Sequence, residues 1–273
     1  MSSVKRELID LYREQIPKVT DSFNKRRLTR NLADLLFEEF HSDIDFGRKL
    51  AIFDEYSKNI LSLYRSETII EDMGHLLRVL LADINEEVQR LSLNKGNSGR
   101  IREFQDLEAK VLKRLNRLYE AYTKKSISEG GWGFQEARVT NVSFYGPRGK
   151  TDSFRTGDKF SARIEFSADR KILRPMFGAA IHTTQGILVA GPNSVNSNSE
   201  IPGIQGTGFV TFSVPVLPLL QGSYLFSAAI YDETASRPYD HRYKQYAFHV
   251  LPEKNPLQGL IRMQAHWVLQ NSH

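Results

Sequence analysis

The sequence predicts a two-domain α+β chain: an α-helical bundle or hairpin in residues 1–125, then an antiparallel β-sandwich of the immunoglobulin-like or jelly-roll type in residues 134–268. In the first half, apolar residues recur every three or four positions, which is the helical period. After residue 133 they alternate with polar residues, which is the period of a half-buried strand. The stretch "SISEGGWGF" separates the two patterns, and we expect residues 126–133 to be a linker.

Four stretches of the first half have the apolar spacing of amphipathic helices: 31–40, 51–64, 69–93 and 101–122. The segment "NKGNSG" (94–99) interrupts the pattern between the last two, so they are predicted to form a helical hairpin. Packing within a bundle accounts for the apolar stripes. The alternative is an exposed stripe that binds a partner or a second copy.

Five short stretches of the second half are predicted to be strands: 160–168, 176–184, 209–214, 224–231 and 245–250. Turns that contain Gly, Asn or Pro separate them, and no helical pattern lies between them. Short strands at this spacing favour an antiparallel sandwich. A 273-residue chain is long enough for two ordinary domains, each with its own core.

Charge and composition exclude several classes of protein. The formal charge is +5, but residues 1–130 carry 23 Lys+Arg against 22 Asp+Glu, and the remaining residues carry 14 against 10. No concentrated basic stripe stands out, so a nucleic-acid partner is not expected. No apolar run approaches the roughly 20 residues of a membrane span. The absence of cysteine and of an apolar signal-peptide core in "MSSVKRELID" predicts a cytoplasmic protein without disulfides.

Motifs of catalysis are absent from the sequence. It contains no GxxxxGK[ST], GxSxG or HExxH, and its histidines have no ligand spacing. A glycosidase needs two facing carboxylates. The clustered candidates are Glu165, Asp232, Glu233 and Asp240, and nothing in the sequence pairs them. We therefore predict no enzymatic activity, no metal and no cofactor.

The second half resembles the C-terminal carbohydrate-binding domain of Wzt-type O-antigen polysaccharide ABC transporters. The resemblance covers about residues 134–268, in an ordered series whose most specific part is "LPLLQGSY" (217–224) followed by Asp232. That part lies within the matching stretch 201–232, and the other matching stretches are 137–146, 154–168, 174–194, 239–240, 248–250 and 259–267. The helical half resembles no family that we identify.

The resemblance implies a cytoplasmic β-sandwich that recognises the end of a finished, lipid-linked polysaccharide before export. It also implies a homodimer formed by exchange of terminal strands. In Wzt proteins an ATP-binding domain precedes this module, whereas here a helical segment does. We therefore expect a non-catalytic module that binds an O-antigen-like glycan, with a helical half that docks a transporter ATPase or a glycan-synthesis enzyme. The alternatives are a structural protein whose sandwich only dimerises and a glycan-processing enzyme.

A face of small residues is the candidate glycan site. Strand phasing places Ser227, Ala229 and Tyr231 on one face, and it does the same for Gly178, Ala180 and His182 and for Ala247 and His249. If these strands share a sheet, the small residues form a shallow floor for a sugar ring, bordered by aromatic and polar groups. The predicted glycan-binding residues are Tyr231, His182, Arg163, Ser227, His249 and Glu165. The alternative is that the small residues only allow a second layer to pack closely.

A late segment, "NPLQGLIRMQAHW" (255–267), follows the last predicted strand. Pro252 and Pro256 favour an extended link rather than a tight hairpin. An extended arm is what strand exchange between two copies requires, so this segment is predicted to dimerise the protein.

Overall fold

The computed structural model describes residues 3–42, 45–63, 66–93, 97–254, 257–265 and 267–269. The chain divides into two compact units, Met1–Glu129 and Gly130–His273. The first unit is helical, and the second consists of two β-sheets. The predicted fold class, helices followed by an antiparallel β-sandwich, is confirmed. Within the described ranges, no helix combines the length and the apolar character that a membrane span requires.

The described part of the first unit contains five α-helices and a 3₁₀ turn at Ile16–Lys18. The helices are α1 (Ser3–Gln15), α2 (Ser22–Ser42), α3 (Phe46–Leu63), α4 (Glu67–Ser92) and α5 (Ser98–Thr123). Helices α2 to α5 contain the four predicted stretches, whereas α1 was not predicted. The helical spacing of Leu8, Ile9 and Tyr12, with Ile9 buried, is the signal for α1. Tyr64 and residues 94–96 of the predicted turn lie outside the described residues.

Helices α4 and α5 pack against each other, as the hairpin prediction requires. At Gly74 of α4, an added Cβ would overlap the hydroxyl oxygen of Tyr119 of α5. Tyr119 is fully buried, and its hydroxyl accepts a hydrogen bond of 2.9 Å from Nη1 of Arg78. The glycine therefore admits an aromatic side chain between the two helices.

The second unit contains two sheets. The strands are β1 (Gly131–Trp132), β2 (Ala137–Gly146), β3 (Gly149–Lys150), β4 (Ser153–Phe154), β5 (Phe160–Leu173), β6 (Met176–Thr183), β7 (Leu188–Ala190), β8 (Gly203–Val214), β9 (Gly222–Tyr231) and β10 (Pro238–Val250). One sheet has six strands in the order β1-β10-β9-β6-β7, with β4 also paired to β10. The other has four strands in the order β3-β2-β5-β8. Neighbours are antiparallel except for the short β4–β10 pair.

In each sheet, every second side chain points into a hydrophobic core that the two sheets share. Strands β5 and β9 contribute Phe160, Ala162, Ile164, Phe166, Tyr224, Phe226, Ala228 and Ile230, all of them buried. Fully burying one large apolar side chain stabilises a fold by roughly 1.5–3 kcal/mol. Because strand side chains alternate, the remaining residues of each sheet form an outer face, and the two outer faces point in opposite directions.

The predicted strands are correct in place but incomplete in number. The five predicted stretches correspond to β5, β6, β8, β9 and β10. Strands β1, β3, β4 and β7, which were not predicted, are two or three residues long, too short to show a period. Strand β2 was also not predicted, and a bulge between Val139 and Asn141 interrupts its apolar alternation. Residues 131 and 132, assigned to the linker from the sequence, instead form β1, because Trp132 is buried and pairs with His241 of β10.

Residues 257–265 and 267–269 of the C-terminal segment form no strand beyond a single bridge. Ile261 makes a single β-bridge to Leu219, and the backbone N–H of Leu220 donates to the carbonyl of Leu260 at 2.9 Å. Beyond this point Met263 is 79% exposed and Trp267 is 97% exposed. Pro256 and His266, which belong to the predicted arm, lie outside the described residues.

Candidate functional site

The small residues of the predicted floor are neighbours in the six-stranded sheet. Gly178 of β6 pairs with Ala229 of β9, and Ala180 pairs with Ser227. Their alternation with the buried core residues places them on the outer face of that sheet. The predicted phasing of β6 and β9 is therefore correct.

This outer face is filled by a bulge of β10. Arg242 pairs with Ala228 and Tyr246 pairs with Phe226, so three residues of β10 stand opposite one residue of β9. The backbone N–H of Lys244, a residue with a φ of 53°, donates to Oγ of Ser227 at 2.8 Å. The small side chains leave space for the bulge, which makes close packing the observed role of this face.

His182 is enclosed beside the bulge. It is 5% exposed, and its ring lies 5.5 Å from the ring of Tyr243, with the edge of one facing the other. Burial, and secondarily the charge of Lys244, lowers the pKa of His182 to about 4. His182 is therefore neutral near pH 7 and is not positioned at an open surface.

Tyr231 belongs to an aromatic cluster at the end of β9. Its hydroxyl lies 3.0 Å from Nδ1 of His241, and the ring of His241 stacks on Trp132 at 4.1 Å. Tyr231 is 9% exposed. The expectation that Tyr231, His182 and Ser227 line an open floor is wrong, because all three are buried and contact residues of β10.

His249 lies far from Tyr231. It pairs with Ser223, whereas Tyr231 pairs with Pro238. Ser223 and Tyr231 are eight residues apart along β9, which corresponds to about 27 Å. His249 is exposed, and its Nδ1 lies 3.0 Å from Oγ of Ser223.

Arg163 and Glu165 lie on the opposite side of the sandwich. Both are on the outer face of β5 in the four-stranded sheet, with Arg163 Nε 3.4 Å from Oε1 of Glu165. The guanidinium carbon of Arg163 lies 3.8 Å from the ring centroid of Phe209, which is half exposed. The six predicted residues therefore do not converge, and the prediction of one site built from all of them is wrong.

A cleft between the edges of the two sheets is the better candidate. It has a volume of about 330 Å³ and lies where strands β6 and β8 and the Asn/Ser-rich loop 191–201 meet. Its apolar lining residues are Ile164, Phe177, Ala179, Ile201, Val210 and Phe212. Its polar lining residues are Asn193, Ser194, Ser197, Ser199, Thr211 and Ser213.

Two polar side chains at the rim of the cleft form hydrogen bonds within the protein. Oγ of Ser194 accepts from the N–H of Phe177 at 3.1 Å, and Oδ1 of Asn193 accepts from the N–H of Asn196 at 2.8 Å. Within the described part of the chain, Asn193 Nδ2 and Ser197 Oγ have no hydrogen-bond partner. These two groups are available to a ligand. The sequence marks 191–201 as a turn-rich loop, but it does not indicate which strands lie beside it.

Of the four carboxylates considered for catalysis, Asp240 has a structural role. This side chain is fully buried and accepts hydrogen bonds from Val139 N at 2.7 Å, Arg242 Nε at 2.8 Å and Gln135 Nε2 at 3.0 Å. Burial raises its pKa, and the three donors oppose that effect. The bonds tie the start of β2 to β10. Among the residues that the structure describes, no group of three or more Asp, Glu or His side chains could hold a metal ion.

Comparison with known proteins identifies the second unit. The family model of the Wzt C-terminal domain matches residues 128–263. A crystal structure of the C-terminal domain of Wzt is 19% identical, with a TM-score of 0.48, covering 58% of this chain and 99% of that one. Bacteroides uniformis β-glucuronidase is 17% identical over 38% of this chain and 13% of its own, with a TM-score of 0.28. No curated protein matches. The second half of the chain, residues 128–263, belongs to the Wzt C-terminal domain family.

Proposed function

We propose that this protein is a non-catalytic binding module for a cell-surface polysaccharide. It recognises an O-antigen-like glycan in the cytoplasm, at the end of the chain, for export or for control of chain length. The helical unit docks a transporter ATPase or a glycan-synthesis enzyme. Membership of the Wzt C-terminal domain family, which is linked to O-antigen transport and carbohydrate binding, supports this proposal.

The observation that carries the proposal is the chemistry of the cleft. Sugars present C–H faces that pack on aromatic rings and hydroxyls that hydrogen-bond to amides and hydroxyls. The cleft offers both, with Phe177 and Phe212 on its apolar side and Asn193 and Ser197 at its rim. Among the described residues that line the cleft, none is Asp, Glu, His, Lys or Arg. Hydrolysis of a glycosidic bond requires two carboxyl groups, so this lining suits binding without cleavage.

The size of the cleft favours the end of a glycan over its interior. Pockets for small ligands range from about 300 to 1,000 Å³, and a volume of 330 Å³ is at the lower limit. A chain terminus can enter such a space, whereas several consecutive sugars need a longer groove.

Calorimetric titration tests this function. The probes are purified, lipid-free bacterial O-polysaccharides, each used intact and after removal of its terminal sugar. We expect the full chain to bind at least one intact polymer and to lose that binding when the terminal sugar is removed. Ser197→Trp places a large side chain at the mouth of the cleft and should weaken binding by at least about tenfold, equivalent to 1.4 kcal/mol.

Asn196→Trp is the matched control. Asn196 is exposed on the same loop as Ser197 and does not line the cleft. It should bind as the wild type does. Asn193→Ala removes one hydrogen bond and should weaken binding by about two- to tenfold. Equal binding by wild type and Ser197→Trp, or no binding to any polymer, contradicts the proposal.

A second candidate function is oligomerisation, which the exposed apolar C-terminal segment favours. Met263 and Trp267 are almost entirely exposed in a single copy, and such groups commonly mark an interface. In this alternative the sandwich only dimerises. A dimer that binds no polysaccharide of the panel would support it.

A further inference from the structure

A groove in the helical unit is lined by apolar and basic side chains. It has a volume of about 540 Å³ and lies between α3 and α5, with the first turns of α4 as its floor. Phe53 and Met73 contribute to the apolar floor, and Leu61 is 36% exposed at one wall. Lys113 and Arg117 form the rim on α5 and are exposed.

The charge of the groove is unbalanced. Asp54 is the one acidic residue among the described lining residues, and the guanidinium of Arg114 holds both of its carboxylate oxygens, with Nε 2.6 Å from Oδ1. Lys113 and Arg117 form no ion pair within the described part of the chain. They are also one helical turn apart, and like charges at this spacing destabilise a helix. An acidic ligand would relieve that repulsion.

The length of the groove matches a short helix. Its α3 wall extends from Phe53 to Leu61 and its α5 wall from Lys113 to Tyr122, so each wall is about 12–14 Å long at 1.5 Å per residue. A helix of two to three turns has the same length. Its apolar side chains at i, i+4 and i+7 would contact the floor, as in other helix-in-groove complexes.

We propose that this groove binds an acidic amphipathic helix of a protein other than this chain. Apolar side chains of that helix contact Phe53, Leu61 and Met73, and its carboxylates face Lys113 and Arg117. The inference rests on the proposed docking role of the helical unit and names the surface and the chemistry of the partner. It does not depend on the glycan site.

The test uses the full chain and a displayed library of helical peptides of about 14 residues, which is about four turns. Apolar residues occupy one face of each peptide, and the flanking positions are drawn equally from Asp, Glu, Lys, Arg and Ser. We expect the recovered binders to be enriched in Asp and Glu. A synthetic copy of the strongest binder should bind the double variant Lys113→Glu/Arg117→Glu at least about tenfold more weakly by fluorescence polarisation.

Lys110→Glu is the matched control, because Lys110 is exposed on the same helix but does not line the groove. It should bind the peptide as the wild type does.

Three results would overturn the proposal. The recovered peptides could show no enrichment in Asp and Glu, they could bind the double variant as tightly as the wild type, or the library could contain no binders. Self-association that the double variant abolishes would assign the groove to a second copy. Binding of dodecyl phosphate with the same dependence, in place of any helix, would assign it to a small amphiphilic anion. Calorimetry with the polysaccharide panel on these variants reports separately on the sandwich.

Discussion

His182 illustrates how burial fixes the state of a single residue. The alternation of side chains in β6 correctly predicts that His182 lies on the outer face, where a histidine was expected to hydrogen-bond to a sugar. The β10 bulge covers it, and its buried Nδ1 has no partner among the described residues. Protonation would place a charge in this apolar site beside Lys244, so the folded protein holds the neutral imidazole.

The residue-scale prediction is a loss of stability in acid. The pKa of His182 is about 4 in the folded protein and about 6.5 when unfolded, so the unfolded state takes up the proton first as pH falls. The neutral His182 contributes up to roughly 3 kcal/mol to the free energy of unfolding. This contribution is present above about pH 6.5 and is lost as the pH falls toward 4. His182→Gln should lose less stability than the wild type between about pH 7 and 4.5 in urea titrations. His249→Gln, an exposed control, should behave as the wild type. Equal acid sensitivity of His182→Gln and wild type would refute the assignment.

At the scale of an element, the β10 bulge decides what the small-residue face does. Tyr243–Gln245 stand opposite Ser227, so the chain crosses the face that strand phasing leaves open. Alternation identifies which side chains share a face, but a bulge is a local insertion that periodicity does not reveal. Tyr231, His182 and Ser227 were therefore correctly phased and wrongly expected to be exposed.

The element-scale prediction concerns Ser227→Ala. Ser227 is 2% exposed, and its hydroxyl accepts the bond from the N–H of Lys244. Removing a buried acceptor should lower the free energy of unfolding by about 1–3 kcal/mol while leaving polysaccharide affinity unchanged. Ser223→Ala, at an exposed position of the same strand, should change stability by no more than about 0.5 kcal/mol. Normal stability combined with weakened glycan binding would make this face a glycan surface after all.

At the scale of the whole molecule, the chain contains two units with different chemistry. The uncharged cleft belongs to the sandwich, and the basic groove belongs to the helices. Residues 1–125 and 134–268 remain our proposal for two separate folding units, joined by residues 126–133.

Limited proteolysis tests this division. We expect the first cuts within 126–130, because residues 131 and 132 are paired in β1. The product should be a stable β fragment. Preferential cutting within 155–250 would contradict it.

The dimer is the second whole-molecule prediction. We expect the full chain to be a homodimer that exchanges its C-terminal segment, since Met263, Trp267, Val268 and Leu269 are all exposed in one copy and neighbouring exposed apolar side chains commonly mark an interface. Removing residues 257–273 should yield a monomer in light scattering. A full-length chain that is monomeric in light scattering at high protein concentration would contradict the dimer prediction.

The sequence by itself determined the two periods, the boundary region and the fold class, because helix and strand spacing are local properties of the chain. It also determined the family resemblance, and it indicated the chemistry of the Asn/Ser-rich loop without its position. Only the tertiary structure decided which surfaces are open. The β10 bulge covers Ser227, the two sheets place Arg163 away from His182, and loop 191–201 meets β8 in a cleft. Exposure and convergence depend on contacts between residues distant in sequence, which no local pattern records.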